Sequence, residues 1–473
     1  MQSFYWHDYE TWGSDPMQDR PAQFAGLRTD MDLNVIGKPQ ILYCQPPVDL
    51  LPEPEACLIT GITPQLAQQK GVLEYEFAAH IHRELATPGT CGVGYNSIRF
   101  DDEVTRHLLY RNFYDPYRRE WDNNNSRWDI IDMVRACYAL RPDGINWPQH
   151  DDGKPSFKLE DLTSANNIIH EASHDALSDV YATISLAKLI KEKKPKLFDY
   201  LFSLRKKQAV IDFLRRNDGK PFLHISRMYA AERGCAAFVL PITPSKSNQN
   251  EIICYDLSVD PAPLIEHNID EIRRRVFSAK DELEVERIPL KSIKINHCPV
   301  VCSANILTDV IAARLHIDRK ACEEHYLRLA KVDSLAQKLQ DIFTITEKKD
   351  ALDPEIALYA GGFIGDVDRE KMHKIHAMNG RELAAHQFAF RDTRLPTLLF
   401  RYRARNFPDT LTMHEKNEWM QFCRTRLMKA ADEFNEKMTM LKSASFGDAK
   451  RLHLLEQLEA HLNTLLQMSE GVT

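Results

Sequence analysis

The chain has 473 residues, 43% of them hydrophobic and 27% charged, with only 18 Gly and 24 Pro. This composition excludes a disordered or fibrous protein, and the length calls for two to three domains. The net charge of −7 excludes a protein that coats nucleic acid by overall attraction, so contact with a polyanion needs a local basic patch.

The first residues run directly into an apolar strand-like segment, with no basic stretch followed by a long apolar core. Neither a secretory signal nor a membrane span is expected, which points to a cytoplasmic location. Ten cysteines are scattered singly, and Cys298 and Cys302 lack the two-residue gap of zinc ribbons and redox motifs. Buried, reduced thiols are expected.

In chain order, 4–9, 24–29 and 41–44 read as short strands, followed by amphipathic helices near 75–85, 102–110 and 130–140. Residues 91–95 read as a further strand. A longer helix is predicted from about 175 to 191, with Leu177, Val180, Tyr181, Ile184, Ala187 and Ile190 on one face. From 221 to 304 the texture turns β-like, in runs at 222–225, 237–242, 251–255 and 293–301 punctuated by Pro, Gly, Ser and Asn. A small barrel or sandwich fits this stretch. Beyond Asp353-Pro354 the pattern is mostly helical, with long runs of helix formers at 416–440 and 449–468.

Three acidic elements carry chemistry. Asp8 and Glu10 lie two apart at the end of the first strand, so they project on one face with Cα atoms about 7 Å apart. Two hard oxygen donors at that spacing suit Mg²⁺, although a solvated strand end explains such a pair equally simply. Asp101, beside Asp102, opens a helix, where an aspartate can also serve as a cap. His174 and Asp179 are five apart, which is about 140° on a continuous helix. They can face one site only if His174 precedes the helix.

Together these elements resemble the DEDDh exonuclease family, with Asp8 and Glu10 as its first motif, Asp101 as its second, and His174 with Asp179 as its third. The closer resemblance is to the bacterial exodeoxyribonuclease I family. It rests on His7-Asp8-Tyr9-Glu10-Thr11, Gly94-Tyr95-Asn96, 99–106, 110–117, Arg127-Trp128-Asp129, 135–142, and Tyr402-Arg403-Ala404-Arg405-Asn406-Phe407-Pro408. It spans essentially the whole chain, dense before about residue 200 and patchier after.

That resemblance implies an α/β, ribonuclease H-like exonuclease domain over 1–194. An SH3-like β-barrel domain with helical additions follows over 195–350, and a C-terminal helical domain over 351–473. It implies a processive 3′–5′ exodeoxyribonuclease that degrades single-stranded DNA to 5′-mononucleotides in repair and recombination, acting as a monomer. Asp8, Glu10, Asp101 and Asp179 would hold two Mg²⁺ ions, with Mn²⁺ a possible substitute. Glu10 would also meet the terminal 3′ hydroxyl, and His174 would be the general base.

Between Arg106 and Arg141, seven arginines interleave with seven aromatic residues, the composition of a single-strand groove, though about half of such aromatics belong to packing. By resemblance Arg106, Tyr117, Trp121 and Arg135 contact DNA. So does Lys158, standing where the family usually has arginine, with the charge kept and the bidentate fork lost. Arg401, Arg403 and Arg405 either line the DNA channel or form a solvated basic helix end. The resemblance also implies binding of the acidic tail of single-stranded-DNA-binding protein, through Arg141, Tyr200 and Arg314. The same catalytic set serves RNA-trimming and proofreading nucleases. A non-catalytic module that binds single strands and recruits repair proteins is a further alternative, disfavoured because crowded carboxylates near a polyanion need a metal.

Overall fold

The computed structural model describes residues 2–170, 175–279, 282–283, 285–344 and 352–470. The chain forms two compact units. One comprises Met1–Ser126, His170–Thr183 and Lys349–Thr473, the other Arg127–Ile169 and Ile184–Lys348.

In the first unit, strand β1 (Ser3–Thr11) is flanked on both sides, antiparallel to β2 (Pro21–Thr29) and parallel to β4 (Thr90–Gly94). Eight of its nine residues are buried, among them the large side chains of Phe4, Tyr5, Trp6 and Tyr9. Strand β3 (Gln40–Tyr43) adds to β2, giving the order β3-β2-β1-β4. Because β1 and β4 are parallel, both deliver their C-terminal ends to one edge of the sheet, where α/β proteins place ligands. Gly94 lets the chain turn there: a Cβ on it would lie 2.7 Å from Ser97 Cβ and 3.1 Å from the His7 carbonyl. Helix Asp101–Arg111 starts directly after that turn.

The C-terminal helices belong to this unit by shared core. Phe434 and Met438 of helix Met413–Ala444, with Leu455, Leu458 and Leu462 of helix Ala449–Glu470, pack on Trp12, Ala22, Cys57 and Ala67. Burying side chains of this size contributes roughly 1.5–3 kcal/mol each. An ion-pair network lies beside this core. Asp49 accepts from Arg405 (2.9 Å) and Arg426 (2.8 Å), and Glu355 from Arg20 (3.1 Å) and Arg405 (2.5 Å). Arg401 pairs with Asp353 at 2.6 Å, and Arg403 with Glu415 at 2.7 Å. This corrects both expectations for Arg401, Arg403 and Arg405. Their side chains are 9–11% exposed and bound to carboxylates, forming neither a channel wall nor a solvated helix end.

Strand β5 (Ser126–Asp129) straddles the point where the chain passes from one unit into the other. The second unit holds an antiparallel sheet ordered β10-β6-β7-β8-β9, made of β6 (Phe222–Ile225), β7 (Ala236–Pro244), β8 (Glu251–Asp256), β9 (Leu290–Lys294) and β10 (Val300–Ser303). The run expected at 293–301 is therefore two strands. Between them lies a turn at Asn296-His297, where His297 N–H returns to Lys294 O and Cys298 adopts a left-handed φ of 50°. Helices Arg319–Leu329 and Leu335–Ile342 follow the sheet. The α/β, small-β and helical succession expected from sequence is present. All ten cysteines are free and buried, and no described helix is long and apolar enough to cross a membrane.

Candidate active site

Asp8 and Glu10 stand two apart on β1, on the face from which Asp179, in the first turn of helix Ala176–Lys193, is also reached. One carboxylate oxygen from each of the three lies within 4.8 Å of the others. Asp101, 3% exposed, is tied to the same strand, its Oδ1 accepting from Tyr9 N–H at 3.1 Å. Its backbone carbonyl accepts from Thr105 Oγ1, which also meets the Tyr9 hydroxyl at 2.9 Å. Asp102 faces elsewhere, onto buried Arg119 at 2.6 Å. Of the two adjacent aspartates, Asp101 is the one whose charge acts on Asp8 and Glu10, although it is not among the three carboxylates that converge within 4.8 Å.

The electrostatics of this crowding are unfavourable without a cation. Burial pushes the Glu10 carboxyl up to about 8, reinforced by Asp179, Asp101 and Asp175. Asp8 is raised as well, by burial first and then by Asp101, Glu10, Asp179 and Asp175. An all-oxygen set of this density fits a hard divalent ion, which neutralises the repulsion and accepts carboxylate ligands. Asp175 went unnoticed in sequence because it follows His174 directly. It caps the helix, Oδ2 accepting from Ser178 N–H at 3.1 Å, and adds a negative charge to the site.

Two histidines near the motifs behave differently. His7 is buried and held down to about 4 by desolvation, so it stays neutral within the sheet. His170, which the motif reading passed over, places Nε2 2.5 Å from Asp179 Oδ1. The helix begins at Ala176, two residues beyond His174, and His174 itself lies outside the described residues.

The residues singled out for DNA fall in two groups. In the first unit, Arg106 is buried and donates to Glu120 (2.7 Å), Glu103 (2.7 Å) and the Tyr359 hydroxyl (3.0 Å). Its guanidinium lies over the Tyr117 ring at 5.4 Å. Tyr117 meets Phe363 edge-on at 5.5 Å, and Phe363 is 84% exposed. Trp121 is 63% exposed, whereas Tyr110 and Phe113 of the same stretch are core. Tyr359 and Phe363 thus extend an aromatic shelf that sequence reasoning missed. They come from more than 240 positions downstream of Tyr117, and no local spacing connects them.

In the second unit, Trp128 is core, and Arg135 pairs with Asp132 at 2.6 Å and lies over Phe157 at 5.9 Å. Lys158 has a 65% exposed side chain near Glu160, 3.4 Å away. Arg141 and Tyr200 line one cavity of about 590 Å³, together with Lys196, Phe213, Arg216 and Ile306. The Tyr200 hydroxyl donates to Val301 O at 2.5 Å. Arg314 donates to Ala139 O, its pKa lowered by burial, with Arg141 close enough to add to the effect.

Three family descriptions match consecutive stretches: Exonuclease over residues 5–187, Exonuclease I SH3-like domain over 205–345, and Exonuclease I C-terminal domain over 352–465. Exodeoxyribonuclease I of Escherichia coli K12 is 45% identical over 460 residues, covering 97% of either chain. The crystal structure of E. coli exonuclease I in complex with a dA16 oligonucleotide superposes with a TM-score of 0.96 at 44% identity, over 98% of this chain and all of that one. A zinc-bound form of the E. coli enzyme with single-stranded DNA gives 0.94, again at 44% identity and over 98% of this chain and all of the other. Identity at this level along nearly the full length of both chains means that this chain belongs to the exodeoxyribonuclease I family and is an exonuclease.

Proposed function

We propose that the chain is a processive 3′–5′ exodeoxyribonuclease of DNA repair and recombination, acting as a monomer on single-stranded DNA and releasing 5′-mononucleotides. The observation that carries this reading is the gathering of Asp8, Glu10 and Asp179 within 4.8 Å, with Asp101 bound to Tyr9 N–H on the strand that bears Asp8 and Glu10. These four side chains would hold two Mg²⁺ ions, replaceable by Mn²⁺. Bound there, the ions supply Lewis acidity for the attacking water, the phosphate and the departing 3′ oxygen. Glu10 meets the terminal 3′ hydroxyl and fixes the end of the strand, which sets direction. His174 takes the proton of the attacking water, a task suited to an imidazole near its ordinary pKa.

The partition 1–194, 195–350 and 351–473 is our reading of the domains, supported by the three matched segments. Tyr117, Trp121, Tyr359 and Phe363 offer ring faces on which bases stack, while Arg135 and Lys158 offer charge to the backbone. Arg106 would act mainly by holding Tyr117 and Tyr359 in place. A cytoplasmic location is supported by ten buried free thiols, which fit a reducing compartment.

The test is time-resolved digestion of a 5′-labelled single strand. Mg²⁺ should give progressive loss from the 3′ end, and EDTA none. Equal digestion of the RNA oligomer of the same sequence would favour an RNA-trimming role instead. His174→Ala should lower turnover about 100-fold or more with metal binding kept. An unchanged pH–rate profile in that variant would remove the histidine from the mechanism.

The acidic tail of single-stranded-DNA-binding protein is the proposed occupant of the cavity lined by Arg141 and Tyr200. Support comes from its lining, which combines the cations Arg141, Lys196 and Arg216 with the apolar Leu197, Phe213 and Ile306. Arg141→Ala should weaken binding of an acidic peptide with an apolar C-terminus about tenfold, as loss of a charge-assisted contact does. Nuclease activity on naked DNA should stay unchanged, and wild-type affinity in that variant would refute the assignment.

A further inference from the structure

The side chain of His170 is 6% exposed, and its Nε2 lies 2.5 Å from Oδ1 of Asp179. Asp179 is one of the three carboxylates that converge on a common point. As a metal ligand it must be ionised, and an ionised carboxylate only accepts hydrogen bonds, so Nε2 must carry the proton. We propose that His170 is a positioning residue for Asp179, holding the plane of that carboxylate so that the divalent-ion site is assembled before the ion arrives. The proposal rests on the metal-site reading above and adds a residue that the acidic motifs do not contain.

The physical case has three parts. A carboxylate held at one oxygen by a charge-assisted bond loses rotation about its terminal torsion, so its orientation is fixed rather than averaged. The neighbouring carboxylates are placed by the sheet. Asp8 and Glu10 stand on a central strand buried between two others, and Asp101 is tied to Tyr9 N–H. Asp179 sits only four residues into its helix, where the mutual repulsion that raises Asp8 and Glu10 also pushes it outward. A neighbour that binds one oxygen opposes that displacement. Partners of metal ligands act in this way elsewhere, and their loss typically weakens metal binding 10- to 100-fold.

The test uses the full chain without DNA, titrated with Mn²⁺ while free Mn²⁺ is read by electron paramagnetic resonance. Gln and Asn differ in reach: the glutamine amide nitrogen can occupy the place of Nε2, and the asparagine amide falls short of it. H170A and H170N should raise the Mn²⁺ dissociation constant about tenfold or more, and H170Q should stay within about threefold of wild type. In Mg²⁺-dependent digestion the same order should appear as a shift in half-saturating Mg²⁺, with turnover recovering at high Mg²⁺. The Asn and Gln variants decide the matter even if H170A fails to fold. Wild-type affinity in H170N, or equal weakening in H170Q and H170N, would overturn the positioning role while leaving the metal site standing. Wild-type protein that takes up no Mn²⁺ would instead refute the metal site itself, and this proposal with it.

Discussion

Replacing Asp8 by alanine should reduce hydrolysis of single-stranded DNA by at least about 10³-fold, or about 4 kcal/mol of transition-state stabilisation, while DNA binding remains measurable. Asp8 has the carboxylate whose ionisation is opposed by most of the site's members. Asp101, Glu10, Asp179 and Asp175 all act on it. A divalent cation would relieve this repulsion, and Asp8→Ala would leave Glu10 and Asp179 to hold it without the carboxylate on which their charges bear. The same change has a second, opposite consequence. Without metal, Asp8→Ala removes part of the repulsion and should raise the melting temperature in EDTA even as activity disappears. Full activity in Asp8→Ala would reject the metal assignment.

The pH dependence follows from Glu10. In the unfolded chain it ionises near about 4.3, and in the folded, metal-free protein only near about 8. Between these values the folded state holds a proton that the unfolded state has lost, so the contribution of this group to stability falls as pH rises and levels off above about 8. Binding of Mg²⁺ releases that proton, so its stabilising effect should grow over the same window. Melting at pH 5.5 and pH 8, with and without Mg²⁺, measures this. An equal Mg²⁺ shift at both values would contradict it.

What was legible in the sequence was what local geometry controls. The two-residue period of a strand put Asp8 and Glu10 on one face, and the five-residue gap between His174 and Asp179 demanded a helix starting between them, as it does at Ala176. What was not legible depended on partners far away in sequence. Tyr359 and Phe363 join Tyr117 across more than 240 residues. Arg106 is expected by resemblance to contact DNA, and its donors are directed to Glu103, Glu120 and Tyr359. His170 was passed over because an isolated histidine gives no signal until its neighbour Asp179 is seen.

Removing Glu355 should be among the most destabilising single changes in the first unit, by about 3–5 kcal/mol for Glu355→Ala. Glu355 is 2% exposed and lies within 3.3 Å of guanidinium nitrogens of Arg20, Arg401, Arg405 and Arg426. Those arginines hold its carboxyl well below the usual range against the opposing effect of burial, Arg405 acting most strongly. Without Glu355 the cations are left, among the described residues, with Asp49 and Asp353 and must share a poorly solvated space, which costs more than the lost hydrogen bonds alone. For a carboxylate with lowered pKa, the contribution is fully present above the unfolded value near about 4.3 and disappears as pH falls through the folded value. The gap between wild type and Glu355→Ala should therefore be constant near neutrality and narrow in acid. Urea unfolding followed by tryptophan fluorescence reads this directly, since Arg405 lies over the Trp419 ring at 5.3 Å. Asp309→Ala, which breaks an ion pair with Arg319 at the surface of the second unit, should leave the midpoint unchanged. A loss below about 1 kcal/mol in Glu355→Ala would mean that the arginines find solvent or other acceptors, and that the hydrophobic core alone joins the C-terminal helices to the sheet.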